Sequence, residues 1–306
     1  MNISKKKNRP VPSVHGFQSD MTHDEWLKWR RSGIGGSDAG VALGLNPYKT
    51  PLDLYLDKVC GISDFTGNIA TEWGNRLEEE VVKAAQDAHP DICRVIEDLP
   101  LMSHPDRSWQ LATTDKGVVA GSKGFGGIEA KTALSFFSGA AYQGGKIPAH
   151  HRAQCVHYMA VTGAEFWILA ALTEGPRFYT HVIERDDAEI QWLTEKEKRL
   201  WTALQEKDIE WMIDGSDASA KALLRLYPEP VERPAPAILT KQKILDAVEQ
   251  YETSKAFEKA AAADKKEAEN ILKGAMGDHE EAIAGSATLT WKKTAKGRRF
   301  SVKKRK

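Results

Sequence analysis

Cysteine is scarce: Cys60, Cys93 and Cys155 are the only three in 306 residues. An odd number of widely spaced thiols builds neither a disulfide framework nor a thiolate zinc site, so a reduced, cytoplasmic protein without structural zinc is expected. No run of 18 apolar residues is present, which excludes a membrane-spanning helix. Residues 1–7 carry three lysines with no apolar stretch behind them, so no secretory signal is expected. Acidic side chains are missing from both ends. Residues 1–10 hold four basic residues and no acid, and residues 292–306 hold nine and no acid. A formal net charge of zero therefore hides an interior, residues 11–291, with 30 basic against 43 acidic side chains. Basic ends on an acidic body suggest contact with a polyanion.

With 41% hydrophobic and 28% charged residues, the chain is a folding one, long enough for one large domain plus a smaller one, or for two. Residues 1–18 lack periodicity and read as a flexible lead-in. Thr22 and Glu25 are spaced as a capping box, opening a helix with Trp26, Trp29 and Arg30. A glycine-rich turn, Gly33 to Gly36, then leads to Ser37 or Asp38 as cap of a short helix ending at Gly44. Thr50-Pro51 opens another helix. Residues 70–88 are strongly amphipathic. Short alternating segments at 92–96, 99–103, 109–113, 116–120 and 127–131 read as strands of a meander. Helices are expected over 133–143 and 150–162, strands over 166–172 and 178–184 joined by a turn at 174–176, and one long helix over 186–213.

Residues 228–237 form a proline-rich linker, with Pro228, Pro230, Pro234 and Pro236. The expected division is therefore a lead-in (1–18), a catalytic domain (19–227), this linker, a helical segment closed by one strand (238–291), and a basic tail (292–306).

The chemistry concentrates between residues 74 and 158. Glu78 follows Gly74 on the amphipathic helix, with Glu79 and Glu80 as rivals. Asp115 ends a strand-like segment, and Glu129-Ala130-Lys131 lies on another. If those strands are neighbours, Asp115 and Glu129 converge, and Lys131 shares the face of Glu129. Two carboxylates, the Ala130 carbonyl and waters make a hard-oxygen site suited to Mg²⁺ or Mn²⁺, with Glu78 a further ligand. Such an ion polarises a phosphoryl oxygen and acidifies a water, and Lys131 can stabilise the charge that develops. Gln154 and Tyr158 share a helix face beside it.

In order, G-x-x-x-E, D, E-x-K and Q-x-x-x-Y resemble the PD-(D/E)xK nuclease superfamily, in particular its λ-exonuclease-like YqaJ viral recombinase family. The resemblance begins upstream, at residues 28–38 and 43–51, and covers about residues 20 to 210. It implies an α/β restriction-endonuclease-like core with a mixed central sheet flanked by helices, two metal ions, and 5′-to-3′ digestion of linear double-stranded DNA in phage-type recombination. It also implies a ring-shaped homotrimer, a single-strand annealing protein as partner, and a 5′-phosphate pocket on Arg30 and Ser37. The acidic motif departs from the family's usual Pro-Asp-Gly, reading Thr114-Asp115-Lys116-Gly117; the literal Pro105-Asp106 is expected to be a turn. An endonuclease of the same fold, or a non-catalytic DNA-binding or annealing factor using the basic tail, are the alternatives.

Overall fold

A computed structural model describes residues 9–62, 67, 69–120, 123–133, 139–174, 177–232, 235–295 and 297–305. Several expectations fall partly outside them: the lysines of residues 5–7, the helix over 133–143, the turn over 174–176, and parts of the linker and tail. The chain divides into two compact units, Met1–Pro230 and Val231–Lys306.

The first unit opens with β1 (Ser13–Gly16), then α1 (His23–Arg31), α2 (Gly36–Ala42) and α3 (Pro51–Lys58). α1 carries the full capping box: Thr22 Oγ1 accepts the Glu25 N–H, and Glu25 accepts the Thr22 N–H at 2.8 Å. α3 repeats the device with Thr50 and Asp53, and has Pro51 in its first turn. α4 (Ile69–Ala88) follows, then strands β2 (Val95–Glu97), β3 (Leu101–His104), β4 (Arg107–Ala112), β5 (Lys116–Ala120) and β6 (Gly124–Ala133). α5 (Ala149–Thr162) crosses over to β7 (Phe166–Thr173), which turns into β8 (Arg177–Glu184).

The main sheet has the order β2-β5-β6-β7-β8. β6 and β7 are parallel and the other pairs antiparallel, giving the expected mixed sheet. A parallel pair needs a long crossover, and α5 supplies it. This helix is buried along nearly its whole length, because it is packed on by α2, by β7 of the main sheet, by β3 and β4, and by the long helix that follows β8. The strands do not form one meander. β3 and β4 leave the main sheet and pair with β1 in a second sheet ordered β1-β3-β4. Residues 13–16 are thus a strand and not a flexible lead-in, and Arg9 is held by Glu165 at 2.8 Å and Asp187 at 3.0 Å.

The helix expected over 186–213 is broken. α6 (Asp187–Glu206) stops at Lys207, whose φ of 56° is left-handed, and Asp208 caps a short α7 (Ile209–Met212). α8 (Asp217–Leu226) packs on α3.

The second unit holds α9 (Gln242–Met276), 35 residues with an almost wholly exposed surface, and a sheet ordered β11-β10-β9. Its strands are β9 (Glu281–Ala284), β10 (Ala287–Thr294) and β11 (Gly297–Lys304). The expected basic tail, residues 292–306, therefore holds the end of one arm of a hairpin and the whole of the other. Phe300 and Val302 alternate with charged residues and pair with Trp291 and Leu289, a period-2 pattern masked in the sequence by its lysines and arginines.

Candidate active site

The main sheet aims the acidic residues. β5 and β6 pair with Lys116 opposite Ile128, so Asp115, one residue before β5, comes beside Glu129. Asp115 Oδ2 accepts the Ala130 N–H at 2.7 Å. Glu129 is 1% exposed, and its Oε1 accepts bonds from the Lys131 ammonium and from Gln154 Nε2, the latter at 2.6 Å. Gln154 also reaches the Tyr158 hydroxyl at 3.0 Å, and that hydroxyl donates to the Thr113 carbonyl at 2.8 Å. Gln154 and Tyr158 thus share one face of α5, with Glu129 against it.

α4 packs on β6. A Cβ on Gly74 would already lie 3.4 Å from Thr132 Oγ1, so the small residue lets the helix come close. One turn later Glu78 is half-buried and feels Asp115. Its rivals face elsewhere: Glu79 pairs with Lys116 and Glu80 with Lys83, each at 2.7 Å. Lys116 also meets Asp98 at 2.6 Å, so it is engaged by acids outside the Asp115–Glu129 pair.

The charges are strained. Burial and the Asp115 charge push the Glu129 carboxyl up to about 8. Burial raises Asp115 against the pull of Lys131 and the Ala130 N–H. Burial and the charges of Asp115 and Glu79 raise Glu78. Burial opposes the Lys131 ammonium, yet Glu129 and Asp115 raise its pKa. Glu129 Oε2 is buried with no hydrogen-bond partner. Three carboxylates that disfavour one another's ionisation, one with an orphaned oxygen, are a donor set that a hard divalent cation would relieve. Among the described residues, no group of three or more His, Cys, Asp and Glu side chains is gathered closely enough to hold a metal ion, so the site rests on the pair Asp115 and Glu129 with main-chain oxygen. The histidines contribute none either. Burial pushes His151 down to about 2, and its Nδ1 shares a hydrogen bond with the Tyr142 hydroxyl; His157 is fully buried. Pro105-Asp106 is an exposed turn between β3 and β4.

The N-terminal residues reach the same place. Ile34 and β4 exchange two main-chain bonds, Ile34 N–H to Trp109 at 2.7 Å and Leu111 N–H to Ile34 at 2.8 Å. This fixes the start of α2, where Gly35, not Ser37 or Asp38, is the N-cap residue. Gly36 lies so close to Tyr158 that an added Cβ would be 2.5 Å from its ring. Arg30, Ser37, Asp115, Glu129, Lys131 and Tyr158 consequently line one cavity of about 230 Å³. Arg30 stacks over Trp26, 5.0 Å from the ring centroid.

Two further cavity residues, Asp38 and Lys58, were not foreseen as a pair. Lys58 Nζ lies 2.9 Å from Asp38 Oδ2 and donates to the Arg30 carbonyl at 2.7 Å. Burial opposes the Asp38 charge, but Lys58 and Arg30 hold its carboxyl below the usual range. Their spacing of 20 residues matches no local pattern; the one signal was an acid in the first turn of a helix otherwise made of small and apolar residues.

Known proteins share the sequence and fold of this chain. A sequence model of the YqaJ-like viral recombinase domain matches residues 25–165. A Bacillus subtilis (strain 168) protein described as uncharacterized protein YqaJ is 31% identical over 283 residues, 92% of this chain and 86% of that protein. Among solved structures, the alkaline exonuclease LHK-Exo from Laribacter hongkongensis, in complex with dAMP, superposes with a TM-score of 0.50 at 19% identity. That match covers 67% of this chain and 98% of LHK-Exo, and it shows a common fold. A phage related exonuclease from Haemophilus somnus 129PT matches at TM-score 0.44 and 14% identity, over 58% of this chain and 96% of its own. Identity sustained over nearly the whole of both YqaJ and this chain has one reading: the chain belongs to the YqaJ-like viral recombinase family.

Proposed function

We propose that the protein is a metal-dependent DNA exonuclease that hydrolyses linear duplex DNA from its 5′ ends in phage-type recombination. The observation that carries this reading is that Asp115, Glu129 and Lys131, tied together through the Ala130 N–H and the Lys131–Glu129 bond, line one cavity with Arg30 and Ser37. The fold it shares with an alkaline exonuclease supports it.

Asp115, Glu129, Glu78 and the Ala130 carbonyl are the residues proposed to hold Mg²⁺ or Mn²⁺, two ions per active site. The metal would supply Lewis acidity at a phosphoryl oxygen and an acidified water as nucleophile. The remaining work falls to the chain. Lys131, held against Glu129, presents a permanent positive charge to the phosphoryl oxygens as negative charge builds on them. Gln154 and Tyr158 keep Glu129 in one rotamer by tying it to the Thr113 carbonyl. The Arg30 guanidinium and the Ser37 hydroxyl are proposed to bind the terminal 5′-phosphate, which charge-assisted bonds from arginine suit. The lysine-bearing pair Asp38–Lys58 fixes the Arg30 backbone beneath it. A trimeric ring and an annealing protein belong to this reading as its proposed assembly.

The test is incubation with linear 5′-phosphorylated duplex and with covalently closed circular duplex, in Mg²⁺ or EDTA. Loss of the linear DNA alone, dependent on Mg²⁺ and abolished in Glu129→Ala and Lys131→Ala, is the expected result. Cutting of the circle would make the protein an endonuclease, and full activity in Lys131→Ala would remove the mechanism.

A further inference from the structure

The hairpin of β10 and β11 gathers positive charge that its own fold does not neutralise. Its register runs unbroken from Ala287 opposite Lys304 to Thr294 opposite Gly297, so side chains alternate between two faces. One face holds Leu289, Trp291, Phe300 and Val302, with Lys293, Arg298 and Lys304 at its ends, and turns toward the end of α9. Lys273 lies 5.2 Å from the Phe300 ring centroid, and Arg298 stacks 3.8 Å from that of Trp291 while donating to the Gly277 and His279 carbonyls. Leu289 is buried there.

The other face holds Thr288, Thr290 and Lys292 on β10 with Arg299, Ser301 and Lys303 on β11. Lys292 stands directly opposite Arg299, and like charges so placed destabilise a sheet. Glu281 relieves Lys292 at 2.5 Å. Arg299 and Lys303 are exposed and carry no ion pair among the described residues. No acidic residue follows Glu281 in the sequence. The face therefore carries two unpaired cations, Arg299 and Lys303, beside the Glu281-paired Lys292, with hydroxyls between them, Thr290 and Ser301 being bonded to each other at 2.8 Å.

We infer that this face is a DNA-binding surface in its own right, one that grips the phosphate backbone of the duplex without reading its sequence. Lysine, arginine and hydroxyl side chains are the groups that contact phosphate. Arg299 and Lys303, four residues apart on one strand, stand about 14 Å apart and so can follow an extended polyanion. A duplex backbone fits better than an unpaired strand. Single-strand surfaces add aromatic platforms for base stacking, and here the rings of Trp291 and Phe300 belong to the opposite face. An apolar protein partner would find only Ile283 exposed among these cations.

The test uses the full-length protein in EDTA with covalently closed circular duplex, which has no ends and is not hydrolysed, so an answer is returned even if the nuclease reading fails. Affinity is measured over a salt series by filter binding. Arg299→Ala/Lys303→Ala is expected to bind on the order of tenfold more weakly near 0.15 M salt, with the slope of log affinity against log salt reduced by about two. Lys293→Ala/Lys304→Ala removes equal charge from the other face and is expected to leave the slope unchanged. Arg299→Gln/Lys303→Gln is read the same way if the alanine variant melts early. Equal loss in both alanine variants would overturn the inference, as would an unchanged slope in Arg299→Ala/Lys303→Ala. An unchanged slope together with aggregation of that variant would assign the charges to protecting the β11 edge from strand pairing.

Discussion

The carboxylate of Asp115 accepts the main-chain N–H of Ala130 at 2.7 Å, one residue beyond Glu129 on the neighbouring strand. The strand that carries the second acid therefore aims the first. Neither can swing away cheaply: Glu129 is fastened from the other side by Lys131 and Gln154. Two carboxylates held together and desolvated are raised in pKa until a cation joins them.

Asp115→Asn tests that relationship. The amide oxygen can still accept the Ala130 N–H, so the geometry survives while one negative charge is lost. Nuclease activity in Mg²⁺ is expected to fall by roughly 100-fold or more, more than the loss of a residue that merely supports a ligand. In EDTA the melting temperature is expected to rise, because Glu129 loses a repulsive neighbour. A variant that loses both activity and stability would show that Asp115 serves the fold instead.

Glu129 sets a pH dependence of the metal-free protein. Its carboxyl titrates near 8 when folded, against an ordinary value of 4.5. A carboxyl raised on folding stabilises the native state below its unfolded pKa. That contribution is lost as pH rises from about 4.5 through about 8, and the full effect is of the order of a few kcal/mol. Thermal melts in EDTA between pH 5 and 8 are expected to show declining stability, flattened in Glu129→Gln and reversed by saturating Mg²⁺. A melting temperature equal at both pH values would contradict the burial of this group.

Arg30→Ala is expected to erase discrimination between ends. Hydrogen bonds to charged groups contribute about 1.5–3 kcal/mol, so any preference for 5′-phosphorylated over 5′-hydroxyl duplex should fall by about 10- to 100-fold. Digestion of the 5′-hydroxyl substrate should change little. The comparison of initial rates on the two substrates decides; equal losses on both would place Arg30 in general DNA binding.

The acidic motif was legible because its parts are local. Glu129 and Lys131 sit on one face of a strand by alternation, and Gln154 and Tyr158 on one face of a helix by i, i+4 spacing. Glu78 was preferred over Glu79 and Glu80 by its spacing from Gly74; the Glu80–Lys83 pair is local to the helix, whereas the engagement of Glu79 by Lys116 exists only in the tertiary fold. Asp38 and Lys58 were out of reach for the same reason: the pair exists through the packing of α2 on α3. Strand membership was the weakest reading. β3 and β4 do pair as a meander would have them, but the other partner of β3 is β1, 90 residues away at Ser13–Ser103 and lacking a strong hydrophobic pattern of its own. In the hairpin of β10 and β11, composition hid the period, because charged residues occupy positions on both faces.

His157 is the polar residue whose loss should hurt the fold most. Both ring nitrogens meet acceptors, Nδ1 the Glu197 carboxylate at 2.7 Å and Nε2 the Leu111 carbonyl at 2.8 Å, so the ring is a buried imidazolium donating twice. Burial opposes that charge, but Glu197 and the Leu111 bond raise its pKa. Glu197 is equally buried and takes the Gln110 amide on its second oxygen at 2.6 Å, so the group joins α5, α6 and β4 beneath the site. His157→Ala strands an unpaired buried carboxylate and is expected to cost about 3–5 kcal/mol, read from denaturant melts. Glu197→Gln in the same chain should restore a large part, because the stranded charge is then gone. The raised imidazole adds a second signature: its contribution is complete below about pH 6.5 and disappears as pH climbs through the folded pKa. The wild-type protein should therefore lose stability on the alkaline side, and the double variant should lose less. Equal alkaline slopes in both would mean that the His157–Glu197 contact is a neutral hydrogen bond and not an ion pair.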